Sequence, residues 1–129
     1  MFYEEILARY GGDPAAEDPV IQAAVADTYT SQGLLYHMLG RFADATEAYL
    51  KSCEYLENSQ MQAADEKLAD VLINLTLVQL RQFDPSGAAA ALDEFEKRFG
   101  QRIEPEFAEQ RAKTPELRSL IDQIRRATG

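Results

Sequence analysis

The side chains able to do nucleophilic or metal chemistry are few. The 129-residue chain holds one histidine, His37, and one cysteine, Cys53. They could in principle act as base and nucleophile, but both fall in stretches of helical apolar periodicity with no glycine loop nearby to hold an oxyanion. One histidine excludes a histidine-based metal cluster, and one cysteine excludes both a zinc site of several thiolates and an intramolecular disulfide. Gly11-Gly12 precedes Asp13, whose carboxylate repels a phosphate, and no Gly-Lys-Ser or Gly-Lys-Thr follows. The many carboxylates scatter over the faces of amphipathic segments, as a solvated surface requires. The sequence therefore predicts no enzyme, no metal and no cofactor.

Charge narrows the partners. Net charge is −9, unevenly spread: residues 1–96 carry 17 Asp and Glu against 5 Lys and Arg, residues 97–129 carry 5 against 8. An acidic body repels phosphate backbones and anionic bilayers, so neither nucleic acid nor membrane is an expected partner. The first residues lack the basic and long apolar character of a secretion signal, and no run approaches the roughly 18 apolar residues of a membrane span. The expectation is a cytoplasmic protein folding as one domain over residues 1–129.

Positioning falls to helices, and their order is set by an internal repeat. Residues Phe2 to Gly11 align with Ala91 to Gly100, matching apolar, acidic, basic and glycine positions in one register. A third copy, Ala48 to Glu57, lies 46 residues after the first and 43 before the last, without the closing glycine. Apolar residues in each copy step by three and four, predicting short amphipathic helices, with Gly11 and Gly100 as left-handed stops.

Longer helices fill the spaces. The first is expected from Pro19 to Gly40, capped by Asp18, and its counterpart from Met61 to Arg81. Leu68, Leu72, Leu75 and Leu80, flanked by Ile73, Leu77 and Val78, form a stripe wide enough to pack on two neighbours. In the tail, Thr114-Pro115-Glu116 reads as a fresh helix start with threonine as cap, and Leu117, Leu120, Ile121 and Ile124 follow at helical spacing. This helix is expected to close the stack with a polar outer side. The fold class is all-α.

The alternation of long and short helices resembles the tetratricopeptide repeat. Tyr29, Gly33, Tyr36, Gly40, Phe42, Ala45 and Tyr49 stand at the spacings of that family's signature. Gly33 and Ala45 are small where the helices of a hairpin would cross, and Gly40-Arg41-Phe42 supplies the turn. Gln32 departs from the expected leucine and Glu57 from a terminating proline. The second unit keeps Leu72, Leu75, Ala88 and Leu92, with Thr76 for glycine and Gln79 for tyrosine. The 43 to 46 residue spacing also exceeds the family's usual 34. The resemblance implies a superhelix of antiparallel hairpins that holds a protein or peptide in its concave groove.

Carried over from the family, the groove positions are Asp27, Thr30, Leu34 and His37 in the first unit and Asp70, Ile73, Leu77 and Leu80 in the second. Asn74 lies near a position where relatives that grip acidic tails place asparagine or lysine, but the rest of that basic clamp is missing. The implied guest is a peptide with apolar anchors and a basic residue near Asp27 and Asp70, not an acidic tail. Each aspartate could instead pair between helices, and each leucine could belong to the core. A structural segment that only stacks repeats into a larger assembly is the alternative. The Phe2 to Tyr10 helix resembles the second half of a repeat without its first half, which implies an excerpt of a longer array, a helix folded back onto residues 19–40, or self-association through that helix.

Overall fold

The computed structural model describes residues 19–58, 64–102 and 105–128. Five α-helices account for most of them: α1 (Pro19–Met38), α2 (Phe42–Asn58), α3 (Ala64–Arg81), α4 (Pro85–Phe99) and α5 (Ala108–Thr128). A single 3₁₀ turn, Pro105–Phe107, leads into α5. No strand occurs among the described residues. The Phe2 to Tyr10 helix, Gly11 and the Asp18 cap lie outside the described residues.

Helix directions follow from the bonds between helices. Thr30 meets Ser52 and Gly33 meets Tyr49, so numbers rise in α1 as they fall in α2, and the pair is antiparallel. Thr46 meets Gln82, just before α4, and Glu57 meets Arg98, so α2 and α4 run the same way. Gly87 meets Gln79 and Arg102 meets Asp65, while Phe107 meets Phe99 and Arg118 meets Asp93, so α3 and α5 each oppose α4 and run with α1. The result is two layers, α1, α3 and α5 in one and the oppositely directed α2 and α4 in the other. Helix α3 lies between, packed on α2, α4 and α5, as its wide apolar stripe predicts.

Both hairpins turn in the same way. After α1, Gly40 N–H donates to His37 O and Arg41 N–H to Tyr36 O. After α3, Phe83 N–H donates to Leu80 O and Asp84 N–H to Gln79 O. These paired bonds satisfy carbonyls that a helix end leaves open, and they require a left-handed residue. Gly40 supplies it at φ 75°, and 43 residues later Phe83 is held at φ 56°. A phenylalanine there is strained by contact between its Cβ and its own backbone. Helix α4 is then started firmly: Asp84 caps it by accepting from Gly87 N–H at 2.9 Å, and Pro85 occupies a first-turn position where no amide hydrogen is needed.

Two expectations about helix ends are corrected. Helix α4 stops before Gly100 as expected, but Gly100 caps it in right-handed geometry (φ −62°, ψ −27°) with its N–H on Glu96 O, not in the left-handed conformation. Thr114-Pro115 does not start a helix; it lies within α5. Proline removes the N–H that would reach the carbonyl four residues back, that of Arg111. The Thr114 hydroxyl donates to this same carbonyl at 2.9 Å and keeps the helix continuous.

The core gathers Tyr49, Tyr55, Phe95, Phe99, Phe107, Leu68 and Ile73, all essentially without solvent contact. Phe107, from the turn before α5, stacks on Phe99 at 5.0 Å and anchors the tail. Leu117 and Ile121 join the same core, whereas Leu120 is 37% exposed. Charge helps: Arg118 of α5 bonds Asp93 and Glu96 of α4, with Glu96 Oε2 at 3.0 Å, and Arg102 reaches Asp65 at 3.4 Å. The basic end of the chain thus closes on its acidic body.

Candidate functional site

Helix α3, packed on α2, α4 and α5, leaves one stripe open, and α1 carries the same stripe 43 residues earlier. On α1 the stripe is Asp27, Ser31, Leu34 and Met38; on α3 it is Asp70, Asn74, Leu77 and Arg81. Every one of these residues is exposed or half-buried, and the spacing of three and four is that of one helix face. Leu34 is 52% exposed, an apolar side chain left in water.

Of the nine residues proposed from sequence, Asp27, Leu34, Asp70, Asn74 and Leu77 share this open face. Leu77 packs partly against the core. Ile73 and Leu80 are 2% and 8% exposed, turned into the core, where α3 is packed on its neighbours. Thr30 points between the layers: its hydroxyl lies 2.6 Å from that of Ser52, and both are 3.0 Å from the Ala26 carbonyl. One hydroxyl donates to the carbonyl and the other to its neighbour, closing a buried polar clasp. His37 sits at the end of α1, edge-on to Phe42 at 5.7 Å. Burial, with the Arg81 charge second, holds its pKa below the usual value.

The two aspartates are occupied from within the chain. Asp27 accepts from Lys67 Nζ at 2.9 Å, and Asp70 accepts from Gln110 Nε2. Adding 43 to both partners of the first bond gives the second, so one link between successive helices of the layer is made twice. The exposed Asp27–Lys67 pair contributes at most about 1 kcal/mol. Ser31, Met38 and Arg81 were missed, although stepping three and four from Asp27 and Asp70 reaches them. Applying the 43-residue register to Lys67 would have found Gln110.

His37 and Cys53 are far apart. Cys53 lies opposite the Tyr29 to Thr30 turn of α1, about two helical turns or roughly 10 Å along the axis from His37. Burial, reinforced by the neighbouring Glu57, pushes its thiol up to about 12. The reactive thiolate is correspondingly scarce near neutral pH.

The opposite layer carries a second register-related feature. Tyr29, Gln32 and Tyr36 of α1 face Asp44, Glu47, Ala48 and Lys51 of α2 across a cleft of about 240 Å³. Shifted by 43, these become Leu72, Leu75 and Gln79 of α3 and Gly87, Ala90, Ala91 and Glu94 of α4, and all seven line a cleft of about 460 Å³. Its far wall is α2, through Leu50, Cys53 and Glu57, with Arg98 at one end.

Among the described residues, no three His, Cys, Asp or Glu side chains are grouped to hold a metal ion, and no helix is long and apolar enough to cross a membrane. Comparison with protein-family models, with curated proteins and with solved structures finds no match to this chain.

Proposed function

We propose that this chain is a tetratricopeptide-type repeat module that binds a protein or peptide segment along the open face of α1 and α3, in the cytoplasm. The observation that carries the reading is the recurrence, at one 43-residue offset, of a left-handed turn, an interhelix link from aspartate and an exposed stripe. Repeats that stack in register present a continuous surface to a ligand. Leu34 and Leu77 are its apolar contacts, Asn74 its amide, and Met38 and Arg81 its edge. Asp27 and Asp70 already hold Lys67 and Gln110, so a basic guest residue must compete for them. The site holds no lysine and asparagine clamp, and an acidic tail is the guest it disfavours.

The test is capture of partners from source cells by the intact chain and by a variant carrying Leu34→Glu and Leu77→Glu. Leu34→Glu alone serves as a control for folding because that residue is exposed. Partners lost from both variants, with helical circular dichroism unchanged, support the face; capture unaffected by either removes it.

A second reading has its own observation. Leu35, Met38 and Leu39, at the end of α1 and its turn, are all more than half exposed, an apolar set that a stacking segment would cover with another copy. Sedimentation showing a monomer at high concentration would dismiss it.

A further inference from the structure

We infer that the cleft between α2 and α4, on the layer opposite the face proposed above, is a docking site for a short peptide stretch that carries an apolar side chain flanked by basic residues. Gln79 points to it first. It is 8% exposed and lines the floor, and its Oε1 lies out of water with no hydrogen-bond partner among the described residues. A buried carboxamide oxygen without a donor is costly, by more than a typical hydrogen bond contributes. In the first hairpin the same position is Tyr36, whose ring lies under the Arg41 guanidinium at 4.8 Å. The second hairpin has exchanged a covered ring for an amide that offers one acceptor and two donors, which is what a peptide group requires.

Gly87 makes room for the amide itself: a Cβ there would stand 2.7 Å from Gln79 Nε2 and closer still to the capping Asp84 Oδ2, so a side chain would displace both. Ala90 and Ala91 keep the α4 wall low, and Leu72 and Leu75 make the floor apolar. Leu50 on the α2 wall is 47% exposed, an apolar edge facing the trough. Both ends are fixed. Thr46 Oγ1 donates to Gln82 Oε1 at 2.6 Å near one, and Arg98 bridges α4 to Glu57 of α2 at 3.7 Å near the other.

Charge selects the occupant. The lining carries Glu57 and Glu94 against Arg98, and the Arg98 guanidinium is already bonded to Glu94 at 2.5 Å. The equivalent cleft one repeat earlier carries Asp44 and Glu47 against Lys51. Each cleft has an excess of one acid, set in a body whose first 96 residues are strongly acidic. Lysine or arginine flanks are attracted, and acidic flanks repelled. A shallow trough with one amide beneath it suits a few residues of extended chain, with an apolar side chain on Leu72 and Leu75 and a main-chain amide meeting Gln79 Oε1 once the carboxamide turns outward.

The probe is a pair of blocked synthetic peptides, Lys-Leu-Ala-Leu-Lys and Glu-Leu-Ala-Leu-Glu, titrated into the ¹⁵N-labelled chain. The expected result is that the basic peptide shifts the Gln79 side-chain amide and the backbone signals of Leu50, Gly87, Ala90 and Glu94. The acidic peptide should leave them in place. Ala90→Arg, a change at an exposed helical position that fills and charges the trough, should abolish the shifts with the melting temperature retained. Gln79→Leu, if it folds, should weaken binding about tenfold, the loss of one hydrogen bond. Shifts confined to the α1 and α3 face, equal response to both peptides, or no change with Ala90→Arg would each overturn the assignment. Because Leu34→Glu lies on the other layer, it should not alter the cleft shifts, so this site and the face proposed above stand or fall separately.

Discussion

Replacing Gly33 by threonine and Tyr49 by leucine, singly and together, asks whether the two hairpins are closed by interchangeable pairs. A Cβ at Gly33 would lie 2.6 and 2.7 Å from Cε1 and Cδ1 of Tyr49, a ring with no exposed surface. In the second hairpin the same two positions are Thr76 and Leu92, both fully buried. One small and one large residue have been exchanged there for two of middle size. Gly33→Thr alone should cost about 2 kcal/mol, the overpacking penalty less a few tenths recovered from helix propensity. Tyr49→Leu alone should cost about 1 to 2 kcal/mol for the space it leaves, moderated because the Tyr49 hydroxyl is buried without a partner among the described residues. Together they should cost less than about 1 kcal/mol, since the introduced methyl enters the vacated space and its hydroxyl can bond the carbonyl four residues back, as Thr76 does with Leu72 at 2.8 Å. Urea unfolding followed by far-UV circular dichroism gives all four stabilities. Losses that add to within about 0.5 kcal/mol would show that the two sites do not share a space, and the reasoning from register would fail.

Phe83→Gly should stabilise the chain by about 1 kcal/mol in the same assay, because the left-handed backbone no longer strains a side chain; a loss of stability would mean that the exposed ring contributes more than the strain removes. Thr114→Val should cost about 1 kcal/mol and speed amide exchange around Pro115, since the Arg111 carbonyl loses its donor. Pro115→Ala should be neutral or stabilising, and a strong loss there would show that the proline is required. Cys53 holds its proton more tightly when folded than unfolded, so the unfolded chain loses that proton first as pH rises. Stability should therefore fall between about pH 9, the ordinary thiol value, and about 12, the folded one. Cys53→Ala should flatten that part of the stability curve, and an unchanged slope would place the cause elsewhere.

Local rules carried the first hairpin well because its signals are local. Gly33, Gly40 and Ala45 announce a close crossing and a turn within thirteen residues, and the turn forms where Gly40 stands. The second hairpin was weaker on paper because its turn uses Phe83, a residue that does not advertise φ 56°. Pro115 misled for a physical reason: the rule that proline starts a helix assumes an unmet carbonyl four residues back, and Thr114 meets it. Ile73 and Leu80 were assigned to a groove by analogy, yet the burial of α3 on several sides leaves only the stripe through Asp70, Asn74, Leu77 and Arg81 open. The Gln79 cleft could not be read at all, since a glutamine replacing a tyrosine gives no sign of whether its amide finds a partner.

The link from Asp27 to Lys67 and its copy from Asp70 to Gln110 set a unit of growth. Helix α3 presents the acceptor Asp70 to its successor and the donor Lys67 to its predecessor, so it is at once the end of one link and the beginning of the next. A tandem duplication of residues 64–106 would hand the new helix the same two half-links and need no compensating change at the joint. Evolution or design can therefore lengthen this chain in steps of 43 residues, with each added step carrying its own connector.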